Sequence, residues 1–378
     1  MIQILAGAKL FDGNTFHKGK ALVLRGGRIA EIVGDDALPE GRIDMLDGIL
    51  APGLIDLQVN GGGGVMLDGG ATAETLRILC ATQERLGVLH VLPTLITATP
   101  EATRRVIDLA AKTAAIPGFL GLHLEGPHLD PRRKGAHDPA LIRPMTDADL
   151  ALYLGAARAL PTLMITLSPS AATPDQIRAL AAAGVTVSLG HSDCTMAEAR
   201  AAFAAGAACV THLFNAMSPL GHREPGLPGA ALTSDVPTGV IADGIHVAPE
   251  MLRIALAAKP RGLFLVSDAM AVAGTNLASF TLNGRQILRR NGSLTLQDGT
   301  LAGADLTLPQ AIRSLVALGV SAQRALAMAT AAPAAALHRA DLGRLAPDLP
   351  ADLVLFGHDL NPTAIWRAGV RQDLPSRL

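Results

Sequence analysis

The segment Phe119-Leu-Gly-Leu-His-Leu-Glu-Gly-Pro-His128 sets the reading of the chain. Its apolar part is too short for a helix and too continuous for a strand with one wet face. That pattern is expected of a parallel strand buried on both sides. Its end is different in kind: His123, Glu125 and His128 are crowded against Gly-Pro, where a loop must begin.

Seven further apolar runs resemble it: Leu54–Val59, Val88–Leu95, Leu163–Leu167, Val185–Leu189, Cys209–Leu213, Val240–Ala242 and Leu263–Val266. Alanine-rich helical windows separate most of them. Thr195-Met-Ala-Glu198 reads as a capping box, and Thr173-Pro-Asp-Gln176 as another with proline at the first helical position. Eight strands in series with intervening helices give an α/β fold, a (β/α)8 TIM-like barrel. A doubly wound open sheet is the second choice, but the first strand is not followed by Gly-x-Gly-x-x-Gly. Phe280–Leu301, with the turn pairs Asn283-Gly284 and Asn291-Gly292, reads as a hairpin inserted near strand eight.

The ends of the chain differ from the middle. Ile2–Leu5, Ala21–Leu24 and Arg28–Val33 are short β-rich runs with Asp12-Gly13 and Gly26-Gly27 turns, and Ala351–Phe356 resembles them. These segments predict a small β-sandwich domain made from residues 1–50 and 346–378, beside a catalytic barrel of residues 51–345.

Composition narrows the class. The 378 residues are 49% hydrophobic and carry 32 Lys+Arg against 33 Asp+Glu, ample for a large core and without a basic field for nucleic acid. One Trp and one Tyr leave little for base stacking. Three cysteines, an odd number in a long chain, point to a reducing compartment, and the expected location is the cytoplasm. The first residues lack the basic and apolar regions of a signal peptide. Ala201–His222 is free of Asp, Glu, Lys and Arg but is too polar for a membrane span.

In a barrel of this kind the chemistry sits at the C-terminal ends of the strands. Gln58 and Asn60 follow strand one, Glu125 ends strand three, His191 follows strand five, His212 strand six, Asp243 and His246 strand seven, and Asp268 strand eight. Glu125, His191 and His212 come from strands three, five and six, close enough around the barrel to converge on one cation, and form a candidate metal site, two imidazoles and a carboxylate of the catalytic zinc type. Fe2+, Co2+ or Mn2+ would also accept these donors. His123, two residues before Glu125, is read as a buried supporting residue, and Cys194 as packing.

The motifs then acquire a family. Ala51-Pro-Gly-Leu-Ile-Asp-Leu-Gln-Val-Asn-Gly61, Pro93–Thr97, Gly121–Pro127, Lys134-Gly-Ala-His137, Gly190–Asp193, Thr211–Met217, Arg223-Glu-Pro-Gly226, Asp243–His246, Ser267–Met270 and Leu301-Ala-Gly303 occur in the order found in the N-acetylglucosamine-6-phosphate deacetylases of the amidohydrolase superfamily, which the chain resembles. The resemblance implies one divalent metal per subunit, expected to be Zn2+, held by Glu125, His191 and His212. It implies Asp268 as the catalytic acid/base and His137 as a substrate-polarising histidine. Asn215, Ala216, Arg223, His246 and the Leu301, Ala302, Gly303 turn would hold the sugar phosphate, with Gln58, Asn60, Ala136 and Asp243 also at the substrate. It further implies a homodimer whose partner helps complete the phosphate end.

Many amidohydrolases carry His-x-His after strand one for a second metal. Here Gln58 and Asn60 stand there, so one metal is expected. N-acetylgalactosamine 6-phosphate is the alternative substrate. A hydantoinase-like cyclic amidase is disfavoured by the missing His-x-His, and a non-catalytic scaffold by the presence of Glu125, His191, His212 and Asp268.

Overall fold

Along the six-stranded sheet formed by both ends of the chain, successive side chains serve two different cores. The computed structural model describes residues 2–282 and 284–374. In it, Val370–Asp373, Pro362–Arg367, Leu353–Phe356, Ile49–Pro52, Lys9–Phe11 and Phe16–His17 pair in that order. Leu50, Leu353, Leu355, Ala364 and Trp366 face a second sheet, meeting Leu5, Leu22, Leu24 and Ile29. That sheet runs Arg28–Gly34, Lys20–Arg25, Ile2–Ala6, Arg42–Met45. The alternate residues Ala51, Val354, Phe356 and Ile365 belong to the main core instead. The period of two thus makes one sheet both half of a β-sandwich and a wall against the barrel.

Ile49–Pro52 continues through Gly53 directly into the first barrel strand. The barrel strands are β1 (Leu54–Val59), β2 (Val88–Ile96), β3 (Leu122–Glu125), β4 (Leu163–Leu167), β5 (Thr186–Leu189), β6 (Cys209–Val210), β7 (Thr238–Val240) and β8 (Leu263–Leu265). They lie side by side in chain order, all pairs parallel. Nearly every residue in them is buried, as the continuous apolar runs require.

β8 and β1 meet only at their C-terminal ends. Val59 bridges Ala269 in parallel, Asp268 N–H donates to Gln58 O (3.0 Å), and Asn60 N–H to Ala269 O (2.8 Å). Lower down, the amides of Leu265 and Ile55 donate instead to Met328 and Ala329 (2.7 and 2.9 Å), so the gap leaves those groups paired. Asp56 stitches the seam: its carboxyl accepts from Gln58 N–H (3.2 Å) and from Ser267 N–H (3.2 Å). Burial pushes that carboxyl up to about 7.

The helices begin where capping chemistry places them. Thr173 and Thr195 each close a capping box, with Gln176 and Glu198, at the heads of Pro174–Ala182 and Met196–Ala204. Cys194 lies before that second cap, buried but outside the helix. The insert after β8 exceeds the expected hairpin. Ser279–Leu282, Arg285–Arg290, Ser293–Thr295 and Leu301–Ala304 make a four-stranded antiparallel sheet. Its Asn291-Gly292 turn has both residues at positive φ (50° and 75°), the conformation a tight hairpin needs. Of the other predicted turn pair, Asn283 lies outside the described residues, as do Met1 and residues 375–378. Leu282, Ile287, Leu294 and Ala302 of the insert pack on Ile96 and Met270, which seats it over one side of the barrel mouth. Among the described residues, no helix is long and apolar enough to cross a membrane.

Candidate active site

A cavity of about 380 Å³ opens at the C-terminal face of the barrel, within the range of small-molecule sites. At its floor, side chains from five strand ends and one loop converge. Glu125 Oε1 lies 3.0 Å from His212 Nε2 and 3.3 Å from His191 Nε2. The two imidazole Nε2 atoms are 3.1 Å apart. All three residues are buried, and their donor atoms lie within 4.8 Å of one another. His191, His212 and Asp268 sit at φ of 45°, 26° and 48°; this left-handed backbone turns each side chain back over the barrel axis at a cost that a packed surround must offset.

Hydrogen-bond partners fix which nitrogen bears the proton in two of the rings. His191 Nδ1–H donates to Arg133 O (2.9 Å), so its Nε2 lone pair faces the cluster. His137 is the reverse. The Thr97 backbone N–H, which can only donate, lies 3.3 Å from His137 Nδ1, and Thr97 Oγ1 lies 2.7 Å from it. His137 therefore carries its proton on Nε2, the atom 3.6 Å from Glu125 Oε2. Burial, with His191 beside it, lowers its pKa to about 4, which keeps the ring neutral.

Electrostatics divide the two carboxylates. Burial pushes Glu125 upward, but its contacts with His137, His191 and His212 outweigh burial and hold it well below the usual carboxylate range. Asp268 is raised to about 6, by burial first and then by the Glu125 charge. This is the separation expected between a ligand and a proton carrier. His212 moves up: burial pulls it down, but Glu125 wins.

This donor set fits a divalent cation. Two imidazole nitrogens and a carboxylate oxygen crowd together in a buried floor, a crowding that a shared proton or a metal relieves. The His191–Arg133 carbonyl bond is the outer support that metal-binding histidines use. Two nitrogens and one oxygen suit zinc, and the same donors accept iron, cobalt or manganese.

Most of the expected residues gather here. Asn60, Glu125, Ala136, His137, His191, His212, Asn215, Ala216, His246, Asp268, Leu301 and Gly303 line the cavity. Gln58 lies just beneath it, donating from Nε2 to Glu125 Oε1 (2.9 Å) and Asp268 Oδ1 (3.2 Å). Three expected residues stand elsewhere. Asp243 sits behind His246 and accepts its Nδ1–H (2.6 Å), so it orients a lining residue without lining the cavity itself. Ala302 is fully buried in the insert's core, because alternation sends its side chain away from Leu301 and Gly303. Arg223 is exposed and does not line the cavity of this chain, because its loop carries it outward past the Asn215-Ala216 turn. His123 is a supporting residue as expected, bonded to Leu57 O (3.0 Å) and Thr166 Oγ1 (2.7 Å).

Arg132 and Arg133 line the cavity without having been anticipated. Both are tied down, Arg132 to Asp130 (2.7 Å) and Asp193 (3.1 Å), Arg133 to Asp193 (2.6 Å). Consecutive arginines between the Glu125 strand and His137 were the available signal. For Thr97 the one signal is its place at the end of the Pro93–Thr97 motif. Gly135, at φ 55°, brings this loop so close that a Cβ would lie 3.3 Å from the His191 ring.

Comparison with known proteins gives the chain a family. The amidohydrolase family model matches residues 49–371. An N-acetylgalactosamine-6-phosphate deacetylase from Shewanella sp. (strain ANA-3) is 39% identical, over 86% of this chain and 83% of its own. The N-acetylglucosamine-6-phosphate deacetylase of Haemophilus influenzae is 36% identical, over 89% of this chain and 90% of its own. The crystal structure of the N-acetylglucosamine-6-phosphate deacetylase from Pasteurella multocida superposes with a TM-score of 0.94 at 32% identity, covering 99% of this chain and all of that one. Barrel, donor set and relatives agree, and the chain belongs to the amidohydrolase family.

Proposed function

We propose that this protein hydrolyses the acetamide of N-acetylglucosamine 6-phosphate, giving glucosamine 6-phosphate and acetate. The observation that carries the reading is the convergence of Glu125, His191, His212 and Asp268 at one cavity floor, in a chain similar over nearly its whole length to enzymes of that name.

Glu125, His191 and His212 hold the divalent cation, proposed to be zinc, one per subunit. When bound, it supplies a Lewis acid that polarises the carbonyl and lowers the pKa of water to about 7. Asp268 takes the proton of the attacking water and returns it to the glucosamine nitrogen as the C–N bond breaks. Its elevated pKa suits a group that must both accept and give a proton near neutrality. His137 donates from Nε2–H to the acetyl oxygen, a neutral donor whose direction Thr97 sets.

Asn215, Ala216, His246 and the backbone around Leu301 and Gly303 hold the sugar phosphate, with Asp243 aligning the His246 ring and Ala136 against the substrate. Arg223 supplies a guanidinium for the phosphate. Its exposure fits a homodimer in which the phosphate end is completed across subunits. The cytoplasm is the proposed location.

The 39% identity to a galactosamine-type deacetylase favours one second reading, the C4 epimer as substrate. The test is acetate release by zinc-loaded protein from N-acetylglucosamine 6-phosphate, its galacto epimer and unphosphorylated N-acetylglucosamine. Preference for the first, abolished by chelation, is the expected result. Preference for the epimer would transfer the assignment to it, and no release from any of them would refute the proposal.

A further inference from the structure

Asp268 is held by one oxygen. Its Oδ1 accepts from Asn60 Nδ2 (2.7 Å) and Gln58 Nε2 (3.2 Å), while among the described residues no group donates to Oδ2. A carboxylate oxygen already engaged by two amides is a poor proton acceptor, because taking a proton there would oppose both donors. The free Oδ2 has no such conflict.

The two amides are themselves fixed. Both are buried, Gln58 at 2% exposure and Asn60 at 0%, and both sit at the seam where β1 closes on β8. Gln58 N–H is bound to Asp56 and Gln58 O accepts from Asp268 N–H. Gln58 also donates to Glu125 Oε1 (2.9 Å), so a single amide spaces two carboxylates that would otherwise repel in a dry site. Among the described residues Asn60 Oδ1 has no hydrogen-bond partner. Turning the amide over would set that oxygen against the Asp268 carboxylate, so Asp268 alone decides which way Asn60 faces.

We propose that Gln58 and Asn60 are positioning residues that commit Asp268 to proton transfer through Oδ2 alone. The inference rests on Asp268 being the acid/base of the proposed reaction. It assigns these two residues an action on the enzyme's own carboxylate, with no contact to substrate required.

The test is a double-mutant cycle on zinc-loaded protein. Asn60→Leu and Gln58→Met keep the number of side-chain heavy atoms and remove the donor, each alone and in an Asp268→Ala background. The measurements are kcat, KM and bound zinc. Expected for each single variant is a kcat loss of about 10²-fold, the scale set by misplacing a reacting group, with KM within about threefold of wild type. Zinc content should be retained in Asn60→Leu, which does not touch a ligand. In the Asp268→Ala background neither change should lower kcat per bound zinc further, since the carboxylate they position is gone and any effect of Gln58→Met through Glu125 is counted in the zinc content. An equal loss in both backgrounds, or a loss confined to KM, overturns the inference and leaves the proposed function standing. An Asp268→Ala enzyme of undiminished rate overturns both. Gln58→Met removes the other donor to the same oxygen, so it carries the test if Asn60→Leu does not fold.

Discussion

Removing and restoring the cation should register in the thermal stability of the protein, independently of turnover. The donor atoms of Glu125, His191 and His212 are already within 4.8 Å of one another in a buried floor, so binding need not reorganise the barrel. A ligand that binds only the native state at about 100 times its Kd adds about 2.7 kcal/mol. At about 2.1 cal/mol/K per residue, unfolding 378 residues carries an entropy near 0.8 kcal/mol/K. The expected rise in Tm is therefore about 3–4 °C. Glu125→Gln replaces the anionic donor with a neutral amide and should leave less than about 1 °C of that shift; His212→Asn should behave the same way. Binding needs neutral imidazoles, and Glu125 holds the His212 pKa above its ordinary value, so the wild-type shift should shrink as pH falls, starting above the usual imidazole range. The assay is differential scanning fluorimetry of chelated protein with and without added zinc. A wild-type Tm that does not move, or an equal rise in both variants, would refute the reasoning.

Three other outcomes are expected. Thr97→Val removes the hydroxyl that lies 2.7 Å from His137 Nδ1 and should lower kcat about 10-fold, a single hydrogen bond's worth of about 1 kcal/mol or slightly more. Steady-state kinetics with bound zinc measured in parallel checks it, and an unchanged kcat would dissociate Thr97 from the His137 tautomer. Burial holds His90 and His123 neutral, each with its pKa lowered to about 4. The unfolded chain, with histidines near 6.5, then binds more protons below that pH. The contribution of these two histidines should be level above about pH 6.5 and be lost progressively toward pH 4, against the opposite slope of the raised Asp56 and Asp268 carboxyls, and His90→Asn should lessen the loss on acidification in urea titrations run across the range. Arg223→Ala should raise KM for the phosphorylated sugar far more than for the unphosphorylated one; equal effects on both would remove Arg223 from the phosphate.

The eight barrel strands were readable because strands buried on both faces must be apolar throughout, and their C-terminal polar residues then stand out. Glu125, His191, His212 and Asp268 were found from that contrast. Reading failed where the deciding facts are tertiary. No period in the sequence marks Arg132 and Arg133 as cavity residues, since a loop and two ion pairs to Asp193 place them. Asp56 looks like one polar residue in an apolar strand until β8 arrives to share it. The last strands of the insert, Ser293–Thr295 and Leu301–Ala304, are too short to carry an alternation that tells a hairpin from a four-stranded sheet. Arg223 belongs to a matching motif, but a motif records neighbours in sequence and not the direction in which a loop leaves the barrel.

The sheet that serves two cores also bears on how the protein is made. Ile49–Pro52 pairs with Leu353–Phe356, roughly 300 residues later in the chain, and at ribosomal speeds of about 5–20 residues per second that partner arrives about 15–60 s afterwards. Until then the edge that Leu353–Phe356 will cover stays unpaired, and Ala51, fully buried in the finished protein, lacks the main core it packs into. The nascent chain must keep this edge from pairing elsewhere while the barrel takes shape behind it. That interval makes the amino-terminal strands the natural place for a chaperone to hold.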